Sequence, residues 1–305
     1  MTPVYKLMSS TPSIGFIGFG EAGSHIAAGL RSAGIERISA FDINADTPGL
    51  GLRIQQRSAE TQTRLLPSMA DLVSLSDILI SAVTASSALA AADQTIPFLK
   101  PAHIYMDINS VSPSLKREID GRIRGTGSGF VEAAVMAPVP PYGHRVPMLL
   151  GGNAAQRLAA TLSRFGMLLD VISEDVGQAA AVKMCRSIVV KGLEALLFEC
   201  VLGASRYGAE NRVFASLQES YPGIDWSKLA DYVVSRVVVH GERRAKEMDE
   251  VAATLRSSGV DPIMAEATAH FQDQIAKLDL KSRFGPEGPQ SFTEVLQIIT
   301  YKTNK

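Results

Sequence analysis

The run Ser13-Ile14-Gly15-Phe16-Ile17-Gly18-Phe19-Gly20-Glu21-Ala22-Gly23-Ser24-His25-Ile26-Ala27-Ala28-Gly29-Leu30 decides how the first half of this chain is read. It opens on a short apolar stretch of β-forming composition, passes three glycines spaced Gly-x-Gly-x-x-Gly, and continues with helical spacing. Gly18 lets the chain turn sharply after a strand, Gly20 lets backbone amides approach a pyrophosphate, and Gly23 lets helix and strand pack closely. The turn formed by Gly18, Phe19, Gly20, Glu21, Ala22 and Gly23 then offers an anion the free N–H groups and positive dipole end of a helix. A glycine triplet alone is an ordinary tight turn; a strand before it, a helix after it and an acid downstream give it meaning. The acid is Asp42, which ends the run Ser39-Ala40-Phe41. A carboxylate there accepts hydrogen bonds from both adenosine ribose hydroxyls and repels a 2′-phosphate, so NAD is favoured over NADP. Arg53 and Arg57 follow, with charge suited to answering such a phosphate.

Outward from this turn, β-rich runs alternate with amphipathic stretches as far as about residue 176. Strands are expected at residues 14–17, 38–41, 78–83, 104–108, 130–135 and 148–150, and helices at 24–33, 70–75, 85–98, 113–123 and 154–165. Right-handed crossovers make this an α/β, Rossmann-type, doubly wound parallel sheet. Ser81, Val83 and Thr84, at the end of one strand, would line the path towards a nicotinamide. After Gly177 the pattern holds no strand, and residues 178–207 run without proline and are largely apolar, as a long helix is. The expected organisation is a dinucleotide-binding domain over 1–176 and an all-α C-terminal domain over 177–305, joined through that helix. Val182, Ile188, Val189, Leu193, Leu196, Leu197, Val201 and Leu202 make it apolar on most sides, as in a helix that passes through a core or packs against a second subunit; the second, a homodimer through the C-terminal helices, is the expectation.

Composition narrows the function classes. A chain of 305 residues, 46% hydrophobic and 20% charged, is ordinary for a globular protein and long enough for two cores. Thirty basic against 31 acidic residues leave a net charge of -1, too small a field to gather nucleic acid or an anionic membrane. The opening residues carry no apolar run, no segment is long enough to span a bilayer, and a cytoplasmic protein is expected. Cys185 and Cys200, the only cysteines, fall in the long apolar helix and read as buried thiols in a reducing compartment. No His or Cys pair has metal-ligand spacing, and no Gly-x-Ser-x-Gly elbow occurs.

Three segments resemble the β-hydroxyacid dehydrogenase family, which includes 3-hydroxyisobutyrate dehydrogenase and, more distantly, 6-phosphogluconate dehydrogenase. They are the glycine turn, Asp107-Ile108-Asn109-Ser110-Val111-Ser112-Pro113, and Gly177-Gln178-Ala179-Ala180-Ala181-Val182-Lys183. The resemblance implies hydride transfer between a nicotinamide and a small anionic 3-hydroxy acid or sugar acid, with or without decarboxylation. It implies Lys183 as general acid and base, with Asn109 and Ser110 orienting the substrate. The residues agree with the lysine assignment, since desolvation in an apolar helix disfavours the ammonium form; a lysine snorkelling to water is the alternative.

The chain also departs from the family. Arg186 and Ser187 stand where the family keeps asparagines, and Glu132-Ala133-Ala134-Val135-Met136-Ala137-Pro138 replaces its Ser-Gly-Gly loop. Arg186 suits a bidentate grip on the substrate's anionic group, or else an ion pair with Glu199 or Glu132. Around His240, the residues Arg243, Arg244 and Lys246 offer weaker candidates, with a solvated helix face as the alternative. The loop from Pro140 to Arg145 suits either a cover over the pocket or a solvated turn. An imine or ketone reductase, or a non-catalytic NAD sensor, would carry the same cofactor motif.

Overall fold

The computed structural model describes residues 11–285 and 288–303, which divide into two compact units between Lys183 and Met184. The first unit is built on an eight-stranded sheet of order β3-β2-β1-β4-β5-β6-β7-β8. Its strands are β1 (Ile14–Ile17), β2 (Ile38–Phe41), β3 (Arg64–Leu65), β4 (Ile78–Ser81), β5 (Ile104–Asp107), β6 (Gly129–Val135), β7 (Met148–Gly151) and β8 (Leu169–Ser173). Helices α1 (Glu21–Ser32), α2 (Leu50–Glu60), α3 (Met69–Ser74), α4 (Ala88–Thr95), α5 (Pro113–Arg124), the single turn α6 (Val139–Tyr142) and α7 (Ala155–Leu162) connect them.

β1, β4, β5 and β6 are buried almost throughout, because helices cover both faces, and such strands write unbroken apolar runs. One face packs Phe16, Ile26, Leu30, Val131 and Leu158; the other packs Ile17, Leu72, Leu79, Tyr105, Ile119 and Phe130. Each large apolar side chain buried this way contributes about 1.5–3 kcal/mol.

The sheet is not wholly parallel, as the sequence had suggested. β7 runs antiparallel to β6, with Glu132 opposite Gly151 and Val135 opposite Met148, and β8 follows β7 in parallel. Residues 136–147, which connect β6 to β7, hold only single helical turns and return the chain beside the strand it has left. β1 lies between β2 and β4, so the winding changes direction there and a crevice opens outside the carboxyl ends of the strands.

Helix α8 (Gln178–Ser205) begins in the first unit and continues into the second. The rest of the second unit comprises α9 (Glu210–Ser220), α10 (Trp226–Ser257), α11 (Ile263–Lys277) and α12 (Phe292–Thr303). Its core gathers Phe198, Val201, Phe214, Trp226, Val234 and Val295. Buried beside that core, Arg244 pairs with Glu194, and Gln272 Nε2 lies 3.4 Å from the same carboxylate.

Neither cysteine is buried. Cys185 is exposed and Cys200 half-buried; Cys185 shares its side of α8 with the exposed Val182, Val189 and Leu196, a face that none of the described residues covers. No helix among the described residues is long and apolar enough to cross a membrane.

Candidate active site

The residues of the glycine turn stand at the carboxyl end of β1. Gly18 has φ +81, a region that side chains avoid, and a Cβ there would come within 2.7 Å of Val83 Cγ1. At Gly23 a Cβ would lie 3.1 Å from the Gly18 carbonyl oxygen, the close approach of helix to strand that the spacing predicts. Around Gly20 nothing lies within 4 Å of such an atom, so the turn faces open space. Helix α1 has no side-chain cap, which leaves its first amides for an outside acceptor. Phe19 is fully buried and Glu21 exposed. Open space, uncapped amides and a nearby carboxylate together fit a dinucleotide.

Asp42 follows β2 and is half-buried. Its Oδ2 accepts the Phe19 N–H at 2.8 Å and its Oδ1 accepts the Asn44 N–H at 2.9 Å. Each oxygen keeps a lone pair for a ribose hydroxyl. Gly20, Asp42 and Asn44 line one side of a cavity of about 280 Å³, and α2 supplies Leu50, Arg53, Ile54 and Arg57.

Further along the sheet, the ends of β4 and β5 are tied together by one side chain. Asn109 Oδ1 accepts the Val83 N–H at 2.7 Å, and Nδ2 donates to Ser81 Oγ at 2.9 Å. The Asn109 N–H donates to Asp107 Oδ1 at 2.8 Å. Lys116 lies beneath, with Nζ 2.8 Å from the Asp107 carbonyl oxygen and 3.2 Å from its carboxylate, both side chains buried. Asn109 and Ser81 are therefore buried structural partners, and Thr84 is exposed with its hydroxyl on Ser86 and Ser87.

The turn that Asn109 holds presents Ser110 to the outside. Lys183 Nζ donates to Ser110 Oγ at 2.6 Å, joining the first turns of α8 to the end of β5. Lys183 is half-buried and Ser110 exposed, so both are open to a small molecule. Glu132 fixes the start of that helix. Fully buried in β6, its Oε1 accepts the N–H of Gly177 at 2.6 Å and of Ala179 at 3.1 Å, and its Oε2 accepts that of Ala180 at 3.3 Å. A carboxylate here satisfies orphan amides and meets the positive end of the α8 dipole. Gly151 leaves room for it, since a Cβ there would sit 2.6 Å from Glu132 Oε1. In the sequence Glu132 registers as a departure from the family loop and as a partner offered to Arg186; a charge inside an apolar strand, which must find partners, was the available signal for its own role.

Glu132 is thus committed to the helix, and Arg186, exposed in the second unit, forms no ion pair with Glu199 among the described residues. Lys246 pairs with Glu242 at 2.8 Å on an exposed face, Arg243 pairs with Glu247, and Arg244 is spent on buried Glu194. His240 is pushed down to about 4, first by burial and then by Arg236, Arg243 and Arg244. His144, in the loop read as a cover or a solvated turn, is buried instead against Gly29 of α1.

Comparison with known proteins agrees with this geometry. The profile of the NAD binding domain of 6-phosphogluconate dehydrogenase matches residues 13–172, and that of a domain of unknown function matches residues 204–275. An uncharacterised 28.5 kDa protein of Methanothermus fervidus is 31% identical over 85% of this chain and 96% of its own length. Mitochondrial 3-hydroxyisobutyrate dehydrogenase of Drosophila melanogaster is 25% identical, over 70% of this chain and 65% of its own. The crystal structure of a conserved hypothetical protein from Sinorhizobium meliloti 1021 superposes with a TM-score of 0.80 at 37% identity, covering 94% of this chain and 96% of that one. Sheet order, glycine turn and these matches together place the chain in the 3-hydroxyisobutyrate dehydrogenase-like family of NAD(P)-dependent oxidoreductases.

Proposed function

We propose that the protein oxidises the CH–OH group of a small anionic 3-hydroxy acid or sugar acid, or reduces the corresponding carbonyl, with Lys183 as general acid and base. The observation that carries this reading is the 2.6 Å contact between Lys183 Nζ and Ser110 Oγ at the carboxyl edge of the sheet. When bound, the nicotinamide supplies the hydride acceptor or donor. Lys183 removes the hydroxyl proton, and Ser110 fixes the amine and offers its own hydroxyl to the substrate. Asn109 acts through its hold on the Ser110 turn, keeping the two groups in register, the kind of positioning that lowers a barrier by several kcal/mol. Arg186, three residues beyond Lys183 on α8, offers a guanidinium for the acid group. The Asp42 carboxylate supports NAD as cofactor through the ribose hydroxyls.

Unpaired Cys185 and Cys200 suit a reducing compartment such as the cytoplasm. Exposed Val189, Val190 and Leu196 on α8 suit a second copy of this chain, testable by sedimentation.

The test is turnover with NAD+ and a panel of 3-hydroxy acids, aldonates and their phosphates, followed by reduced-nicotinamide absorbance and carbon dioxide release. Lys183→Ala is expected to lower kcat about 10²–10⁴-fold while leaving NAD+ affinity intact. Full turnover in that variant, or silence across the panel with NAD+ bound, overturns the proposal.

A further inference from the structure

We infer that Arg53 and Arg57 form a phosphate clamp beside the adenosine ribose, so that the protein accepts NADP(H) as well as NAD(H). The inference rests on the dinucleotide reading of the glycine turn and goes beyond it. Both residues line the cavity that also contains Gly20 and Asp42. They stand four apart on α2, which places them on one face of the helix. Among the described residues neither guanidinium has an ion pair or a hydrogen-bond partner, while Arg31, Arg122 and Arg124 of the same unit are each engaged.

Charge decides what such a cavity takes. Two guanidiniums against the single Asp42 carboxylate leave its lining with one net positive charge. Each Asp42 oxygen already accepts a backbone N–H, from Phe19 and from Asn44, so part of its negative charge is compensated locally. The ordinary objection, that an acid after the second strand repels a 2′-phosphate, is weakened on both counts. Leu50 and Ile54 add apolar surface to the same cavity, and Ile43, 72% exposed just after Asp42, adds more at the edge. That combination suits a purine with a phosphorylated ribose: an apolar wall for the base, a carboxylate and amides for the sugar, and two forked donors for phosphate oxygens.

The test measures binding of NAD+, NADP+ and 2′,5′-ADP to the full-length protein and to Arg53→Ala/Arg57→Ala. Wild type is expected to bind NADP+ within about ten-fold of NAD+, and the double variant to lose at least about ten-fold towards NADP+ and 2′,5′-ADP while NAD+ changes less than about two-fold. Unchanged NAD+ binding also shows that the variant folds. NADP+ affinity unaffected by the double substitution, or wild type binding NAD+ alone, overturns this inference and leaves the dinucleotide reading standing. Binding of neither dinucleotide by wild type overturns both.

Discussion

Removing the Glu132 carboxylate isolates what holds the start of α8. Glu132→Ala orphans three amides, those of Gly177, Ala179 and Ala180, in a place where the wild-type side chain is fully buried. An unsatisfied buried donor costs about 1–3 kcal/mol, and allowing for water entering the space left behind, the loss is about 3–5 kcal/mol. For a unit of this size each kcal/mol moves the thermal midpoint by about 2–4 °C, so a fall of about 6–20 °C is expected by calorimetry. Glu132→Gln keeps the shape but loses the charge and turns an amide donor towards one N–H; its loss is about 1–3 kcal/mol. Hydrogen exchange adds a local readout: the three amides lose protection in both variants while those of β1 keep theirs. A midpoint for Glu132→Ala within about 2 °C of wild type would refute the reasoning, as would Gln proving worse than Ala.

Two glycines of the same turn are expected to separate stability from binding. Gly18→Ala forces a residue at φ +81 against Val83 and costs about 1–3 kcal/mol by thermal unfolding. Gly20→Ala costs no more than about 1 kcal/mol, since the atom added meets nothing within 4 Å, yet it weakens dinucleotide binding measured by titration. In the second unit, Glu194→Ala strands Arg244 and destabilises by about 3–5 kcal/mol, read from Trp226 fluorescence in urea, whereas Glu194→Leu/Arg244→Met recovers most of the loss. His240 is expected to titrate near 4 by NMR, below its ordinary 6.5. The folded state then binds fewer protons than the unfolded one between those values, so the His240 contribution to stability is complete above 6.5 and is lost as pH falls towards 4. His240→Gln removes that part of the pH dependence in urea titrations.

Much of the first unit was legible because its strands are buried on both faces and its turn chemistry is local. Continuous apolar runs marked β1, β4 and β5, and three glycines marked the turn. β3, with two residues, and β8, alternately half-buried and exposed, write weaker patterns. Helix α2 buries only Gly51 and Ile54, so its apolar stripe is too thin to announce a helix, although two of its arginines line the cavity. The direction of β7 was not readable, since alternation carries no sense of parallel or antiparallel. The structural contacts of Asn109 and Glu132 were not readable for a common reason. Their partners lie 26 to 48 residues away, and no spacing rule foretells that a side chain near the site is occupied in holding it together.

The cap on α8 and the amine near its start are linked by a fixed pitch. Ala180 donates to Glu132, and Lys183 reaches Ser110 three residues later. Inserting or deleting one residue between them would swing the amine about 100° around the helix and carry it off its hydroxyl partner. This span works as a ruler: it tolerates changes of composition and resists changes of length.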